Sequence, residues 1–183
     1  MLMRVLEAGG LPCLTDNIRS ADEENPRGYY EYEPVKSLGE GQAGWVAKAE
    51  GMALKVVVAR LRFLPQSYSY RIILIQRAIQ EVLASQKKML LRRGEPTWKI
   101  SDKDLAQLYQ RHFQQVEAWL KSQPLIDVLP LQYSEVVAEP RSQVARINRF
   151  LGGGLKEAEM VKVIEPQLYR NREPAAIPRS AAT

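Results

Sequence analysis

A buried strand that leads directly into a helix, within residues 70–94, constrains the fold of this chain more than any other feature. Residues 71–75 (RIILI) place four aliphatic side chains in succession, and so short a run favours a strand buried on both faces, as in parallel sheets. Residues 77–93 follow with apolar side chains on one side of a helix, and Gly94 ends it. Such a pair is half of a β-α-β unit, so the sequence predicts an α/β fold with a parallel sheet.

The remaining apolar runs fit the same architecture. Residues 52–59 contain three successive valines and residues 128–133 are mostly apolar, so both are predicted as strands. Ser101 and Asp104 have the spacing of a capping box at the start of a long amphipathic helix, which Pro124 ends. Shorter helices are predicted over residues 1–7, 45–50 and 141–151. Together these elements predict three layers, with helices packed around the parallel sheet.

Length and charge place the chain among single-domain globular proteins. Its 183 residues support one core, predicted as a domain of residues 1–172 with a mobile tail of residues 173–183. The net charge of +5 favours anionic partners without indicating which anion.

Cys13 is the only cysteine, so we expect a small buried apolar residue and a reducing compartment. No apolar run has the length of a membrane span and no signal-peptide pattern is present, so the expected location is cytoplasmic, without a membrane partner.

Several classes of chemistry lack the residues that they need. His112 is the only histidine, and it lies at the edge of the apolar side of the long helix, where a packed structural role is the first interpretation and a general base the second. No metal site is predicted, because neither zinc spacing nor Cys-His pairing occurs. The chain has no Rossmann glycine pattern, no Walker A loop and no motif for nucleic-acid binding.

Two polar residues after the strand of residues 71–75 are candidates for anion binding. Arg77 directly follows this strand, and Ser85 lies eight positions further along the helix. Ligands of parallel sheets bind beyond the carboxyl ends of the strands, where the planar guanidinium of Arg77 could hold a phosphate by two hydrogen bonds. Ser85 could add its hydroxyl group to the same anion. A solvated arginine at the start of a helix is the alternative interpretation.

This pair resembles a signature of the P-loop sulfotransferases, cytosolic and bacterial enzymes whose sulfate donor is 3′-phosphoadenosine 5′-phosphosulfate. In that family an arginine after a strand and a serine eight residues later hold the 3′-phosphate, so the resemblance implies this role for Arg77 and Ser85. Residues 55–65 (KVVVARLRFLP) resemble the family's strand and basic turn before a leucine-proline pair. Residues 128–152 resemble its later strand, Tyr-Ser-Glu turn, Glu-Pro pair and final helix.

The likeness extends over residues 1–172 and implies the partners of the reaction. Residues 25–31 (NPRGYYE) are similar to an asparagine-proline-glycine-aromatic-glutamate stretch in bacterial members. The implied fold is the sulfotransferase form of the P-loop nucleotide-hydrolase architecture. The implied partners are the nucleotide sulfate donor, as co-substrate, and an unidentified acceptor that carries a hydroxyl or an amine.

Two parts of the family pattern are missing. The loop of the Pro-x-Ser-Gly-Thr type that holds the 5′-phosphosulfate is not present, and residues 2–10 resemble the helix that follows this loop. We therefore expect a fold that lacks its first strand and its P-loop, with activity impaired or lost in the chain as it stands. The catalytic histidine of the animal cytosolic enzymes, which falls within residues 55–65, is also missing.

Glu31 is the expected catalytic base, because some sulfotransferases use a glutamate in place of the histidine. Its carboxylate would take the proton of the acceptor as the acceptor oxygen attacks sulfur in line. Glu33 is the second candidate, and a solvated loop carboxylate is the alternative for Glu31. Arg170 and Arg172 belong to a basic cluster where classical members have a second phosphate-binding loop, so they are predicted donor contacts, with surface charge as the alternative.

Three other classes of protein compete with the sulfotransferase hypothesis. The first is a non-enzymatic remnant or interaction module that keeps part of the fold. The second is a P-loop kinase of another class, which would need a lysine-bearing loop and magnesium ligands that this chain does not show. The third is a basic nucleic-acid binder, for which no motif is present.

Overall fold

The structure is a computed structural model that describes residues 1–166, except 17, 23, 24, 26, 93 and 95–100. The predictions for Arg170, for Arg172 and for the tail of residues 173–183 lie outside the described residues. The α-helices are α1 (Leu2–Ala8), α2 (Ile79–Arg92), α3 (Asp102–Lys121), α4 (Tyr133–Ala138), α5 (Pro140–Phe150) and α6 (Glu157–Lys162). The strands are β1 (Tyr70–Gln76) and β2 (Ile126–Gln132), and 3-10 helices cover Glu33–Ser37, Gly44–Ala49 and Val58–Phe63.

The sheet pairs β1 with β2 in parallel, from Tyr70 opposite Ile126 to Gln76 opposite Gln132. The connection between the two strands runs through α2 and α3. This is the β-α-β arrangement predicted from residues 70–94, because parallel strands need a long crossover and a helix usually supplies it. The predicted α/β class with a parallel sheet is confirmed.

Each face of the sheet is covered by a separate hydrophobic cluster. On one face Ile73 and Leu129 pack with residues of α1, α4, α5 and α6. On the other face Ile72, Leu74 and Val128 pack with α3 and with the segments around the 3-10 helices. Successive side chains of a strand point to opposite faces, so a strand of aliphatic residues can serve both clusters at once. The predicted three layers are confirmed.

The predicted strand over residues 52–59 is wrong. Ala53 forms one isolated parallel bridge with Cys13, in which the Ala53 amide donates to the Pro12 carbonyl at 2.7 Å and the Leu14 amide to the Ala53 carbonyl at 2.9 Å. The chain then enters the 3-10 helix Val58–Phe63. A short valine run reads as a strand by composition, but Val57 is 58% exposed, so the run does not cross the sheet as a buried strand.

Several local signals are confirmed. The Ser101 hydroxyl accepts a hydrogen bond from the Asp104 amide at 3.1 Å at the start of α3, as the capping pattern predicts. Gly9 follows α1, and a Cβ atom there would meet the Met160 sulfur at 2.8 Å, so a larger residue would displace the Met160 side chain of α6. The expectation of a buried Cys13 is met only in part, because the residue is half-buried. Burial, with a smaller contribution from Glu7, raises the pKa of its thiol to about 11.

Candidate functional site

Arg77 lies directly beyond the carboxyl end of β1, at the edge of the sheet where ligands of parallel sheets bind. Its Nε and Nη2 atoms lie 3.4 Å and 3.3 Å from Oε2 of Glu81. The guanidinium carbon lies 4.7 Å from the centre of the ring of Tyr133, which follows the neighbouring strand β2. Glu81 and Tyr133 therefore both contact the guanidinium group and restrict its orientation.

The carboxylate that orients Arg77 is itself buried. Glu81 is only 4% exposed, whereas the side chain of Arg77 is 29% exposed. A buried carboxylate needs a charged partner, so Arg77 has a structural task in this fold whether or not an anion binds. The same surroundings act on Tyr133, where burial raises the pKa of the phenol while Arg77 opposes that rise.

Polar side chains continue along this edge of the sheet. The Gln132 amide donates to Oε1 of Gln76 at 2.6 Å, and the Gln76 amide lies 3.5 Å from Oε1 of Glu117. Ser85 is half-buried on α2, one helical turn beyond Glu81, so the two side chains lie on the same side of that helix. Arg77 itself precedes α2, and its partner Glu81 lies between Arg77 and Ser85 in the chain.

Glu31 occupies a different cluster, in the loop of residues 15–32. One of its carboxylate oxygens lies 3.4 Å from Nζ of Lys55 and 3.6 Å from Nη1 of Arg19, and the side chain is 31% exposed. Lys55 also donates to the Tyr29 carbonyl at 2.9 Å, and the guanidinium of Arg19 lies 3.3 Å from the centre of the Tyr29 ring. Glu31 is therefore a partly buried carboxylate between two cations, and not a freely solvated loop residue.

Hydrogen bonds order this loop, and one of them joins it to α1. The Thr15 hydroxyl donates to the Glu31 carbonyl at 2.9 Å, and the Asp16 carboxylate accepts from the Ile18 amide at 3.1 Å. The Tyr30 hydroxyl donates to the carboxylate of Glu7 in α1. Burial, reinforced by this hydrogen bond, raises the pKa of Tyr30 to about 12, so the phenol stays a donor at neutral pH.

A cavity of about 350 Å³, here called the loop cavity, lies among these groups. Its wall includes Glu31 together with Glu7, Asp16, Arg19 and Arg27. Beyond the wall, Glu165 accepts from Arg4 of α1 at 2.7 Å and from Nε and Nη2 of Arg27 at 3.1 Å each. Glu165 thus links the loop, α1 and the segment after α6.

The other predicted bases have different surroundings. The Glu33 side chain is 55% exposed and pairs with Lys36 at 2.8 Å, as a surface ion pair of adjacent helical turns does. His112 in α3 has a buried Nε2 atom without a hydrogen-bond partner among the described residues. Neither of these two side chains lines the loop cavity.

Arg77 and Glu31 belong to separate clusters, the first with Glu81 and Tyr133 and the second with Lys55 and Arg19. None of these partners was predicted from the sequence. Glu81 had a usable signal, because it lies four residues after Arg77, a spacing at which side chains meet. Lys55 and Arg19 are distant from Glu31 in sequence and carried no such signal.

The family of the chain follows from a comparison with protein-family models. The model described as "Sulfotransferase family" matches residues 38–157, about two thirds of the chain. The chain therefore belongs to the sulfotransferase family. Arg77 and Ser85 lie inside the matched segment, and Glu31 lies before it. No curated protein and no solved structure matches the chain.

Neither a membrane-spanning helix nor a metal site is found among the described residues. None of the helices in that part of the chain combines the length and the hydrophobicity that crossing a bilayer requires. Within the same residues, no group of three or more histidine, cysteine or acidic side chains is arranged to hold a metal ion.

Proposed function

We propose that this chain binds 3′-phosphoadenosine 5′-phosphosulfate and serves the transfer of its sulfuryl group to an acceptor hydroxyl or amine, with an activity that is impaired in the chain as it stands. Members of the sulfotransferase family generally use this donor, and the chain belongs to that family. The observation that carries the proposal is the position of Arg77, fixed at the carboxyl edge of a parallel sheet. Arg77 would hold the 3′-phosphate and Ser85 would add a hydroxyl group.

The orientation of Arg77 supports this role. A guanidinium whose orientation Glu81 and Tyr133 already restrict loses less side-chain freedom when it meets a phosphate. The phosphate would share Arg77 with the Glu81 carboxylate, so part of the positive charge is already matched in the protein. Arg170 and Arg172, which we propose as further donor contacts, would add cationic charge that Glu81 does not offset.

Glu31 is proposed as the base that takes the proton from the acceptor. Lys55 and Arg19 hold its carboxylate in place, at 3.4 Å and 3.6 Å. Sulfuryl transfer resembles phosphoryl transfer, in which positioning and positive charge around the transferred group provide most of the catalysis. Lys55 and Arg19 would supply such charge beside the proposed base.

Donor recognition is tested with 3′,5′-adenosine bisphosphate, the product that shares the 3′-phosphate. Arg77→Ala should weaken its binding by about 1.5 to 3 kcal/mol, the range for a hydrogen bond to a charged group, which corresponds to about 10- to 150-fold in Kd. The measurement is isothermal titration calorimetry on the full chain. Arg111→Ala, which removes an exposed arginine from α3, is the matched control and should leave Kd unchanged.

Arg77→Ala also leaves Glu81 buried without this partner, so a second variant is needed. In Arg77→Ala with Glu81→Gln the buried carboxylate is gone, and the loss of ligand affinity should persist although stability is restored. Equal affinity in the wild type and in this double variant would show that Arg77 serves only to neutralise Glu81.

The alternative function is a non-enzymatic interaction module. The observation that favours it is that both candidate charges already have partners in the protein, Arg77 with Glu81 and Glu31 with Lys55. Under this alternative, the wild-type chain binds neither 3′,5′-adenosine bisphosphate nor the sulfate donor. The same calorimetric experiment therefore separates the two functions.

A further inference from the structure

The loop cavity has the size and the position of a small-molecule site. Its volume of about 350 Å³ lies at the lower end of the ~300–1,000 Å³ range typical of such sites. Glu31 forms part of the wall, so a molecule in the cavity would lie beside the proposed base. A volume at the lower end of this range favours a small ligand, such as a single ring.

The charges around the cavity nearly cancel, because three carboxylates and two guanidinium groups line the wall and Lys55 lies behind it. Glu31 pairs with Arg19 in the wall and with Lys55 behind it, and Arg27 pairs with Glu165 at 3.1 Å. A ligand with several charges would have to compete with these ion pairs. An apolar ligand would remove water from carboxylate and guanidinium groups without replacing its hydrogen bonds, which is unfavourable.

A neutral molecule rich in hydroxyl groups neither competes with these ion pairs nor leaves the charged groups without hydrogen bonds. Each hydroxyl can donate to a carboxylate such as Asp16 or Glu7 and can accept from a guanidinium such as Arg19. The wall therefore offers donors and acceptors that a polyol can satisfy without a change in net charge.

The wall is also held in place before a ligand arrives. Tyr30 has a φ of 50°, a left-handed conformation that a bulky residue rarely adopts, and the hydrogen bond from its hydroxyl to Glu7 fixes it against α1. The Thr15 hydroxyl holds the Glu31 backbone carbonyl at 2.9 Å. A wall that is already ordered loses little conformational entropy on binding.

We propose that the loop cavity is the acceptor site and that it takes a neutral polyhydroxyl acceptor about the size of one sugar ring. This inference rests on the proposed function. One hydroxyl oxygen of the acceptor forms a bond to sulfur while the bond from sulfur to the 5′-phosphate oxygen breaks. The hydroxyl proton passes to the Glu31 carboxylate, and 3′,5′-adenosine bisphosphate leaves with the electron pair of the broken bond.

The first experiment measures binding to the full chain without the donor. Methyl glucoside, phenol and a long-chain alcohol are titrated by ligand-observed NMR, and only methyl glucoside should show saturable binding. Ala21→Leu, which narrows the cavity with an extra side chain, should weaken that binding by about tenfold or more. Ala118→Leu, at an exposed position of α3, is the matched control and should bind like the wild type.

Two results would overturn the assignment of the cavity: stronger binding of phenol or the long-chain alcohol than of methyl glucoside, or sugar binding that Ala21→Leu does not change. A second experiment adds 3′-phosphoadenosine 5′-phosphosulfate and follows sulfated methyl glucoside by mass spectrometry, where sulfated product supports both proposals. The chain could instead bind the sugar saturably, lose that binding in Ala21→Leu, and bind neither the donor nor its bisphosphate product. That result would contradict the proposed function and keep the cavity as a sugar site.

Discussion

Glu31 and Arg77 show that the interpretation of a charged residue depends on the side chains that it contacts. In sequence, each has a solvated surface charge as its ordinary interpretation. In the structure, Glu31 lies between Lys55 and Arg19, and Arg77 is paired with the buried Glu81. The solvated interpretation therefore fails for both residues, while their proposed roles in catalysis and donor binding stay predictions.

At the scale of single residues, the variant Glu31→Gln tests the proposed catalytic base. The amide keeps the size of the side chain but cannot take a proton, so kcat for sulfate transfer should fall by about 100-fold or more, the lower limit for general base catalysis. Donor affinity should change little, because Glu31 and Arg77 lie in separate clusters. Transfer kinetics with saturating donor provide the measurement.

The matched control for this variant is Glu33→Gln. Glu33 lies in the same part of the chain but is 55% exposed and pairs only with Lys36 among the ion pairs of the described residues. It should retain wild-type kcat. If Glu33→Gln loses activity and Glu31→Gln retains it, the two glutamates have been assigned the wrong way round.

Among the elements, α3 has the most complete set of local signals. It runs from Asp102 to Lys121, begins at the Ser101 cap and buries Leu105, Val116 and Leu120. Asp102 and Asp104 in its first turn interact favourably with the helix dipole. Because capping, charge and apolar spacing agree, its position was predictable from sequence alone.

Ser101→Ala should remove the cap of α3 and destabilise the fold by about 1 kcal/mol, which lowers Tm by about 2–4 °C in a domain of this size. The physical reason is that the Asp104 amide loses the hydroxyl that accepts from it at 3.1 Å. Differential scanning calorimetry is the measurement. Ser142→Ala, at an exposed position within α5, should change Tm by less, and an equal shift in both variants would contradict the capping role.

For the molecule as a whole, Glu165 connects parts that are far apart in the chain. It accepts hydrogen bonds from Arg4 and Arg27, which lie more than 130 positions before it. These bonds, first that of Arg4 and then that of Arg27, lower the pKa of the Glu165 carboxyl. A lowered pKa in the folded state means that the carboxylate stabilises the fold at neutral pH.

Glu165→Gln should therefore lower Tm at pH 7. The difference from the wild type should be complete above the ordinary pKa of 4.5 and should shrink as pH falls through the lowered pKa of the folded state. Thermal melts between neutral and acidic pH test this. Glu159→Gln, which removes an exposed carboxylate paired with Lys162 in α6, is the control and should show a small effect.

Local periodicity was sufficient to predict β1, β2, α1, α2, α3 and α5, because each depends on the order of nearby residues. It was not sufficient for residues 52–59. Their valines match a strand in composition, but strand formation depends on a neighbour to pair with, and only Ala53 finds one, in Cys13.

The sequence by itself determined the α/β class and the presence of Arg77 at the end of β1, since strand, helix and arginine are consecutive in the chain. Only the tertiary structure decided which charges meet. Lys55 reaches Glu31, Arg27 reaches Glu165 and the loop cavity forms because the loop folds back over α1. Such long-range contacts depend on the packing of whole elements, and no local spacing encodes them.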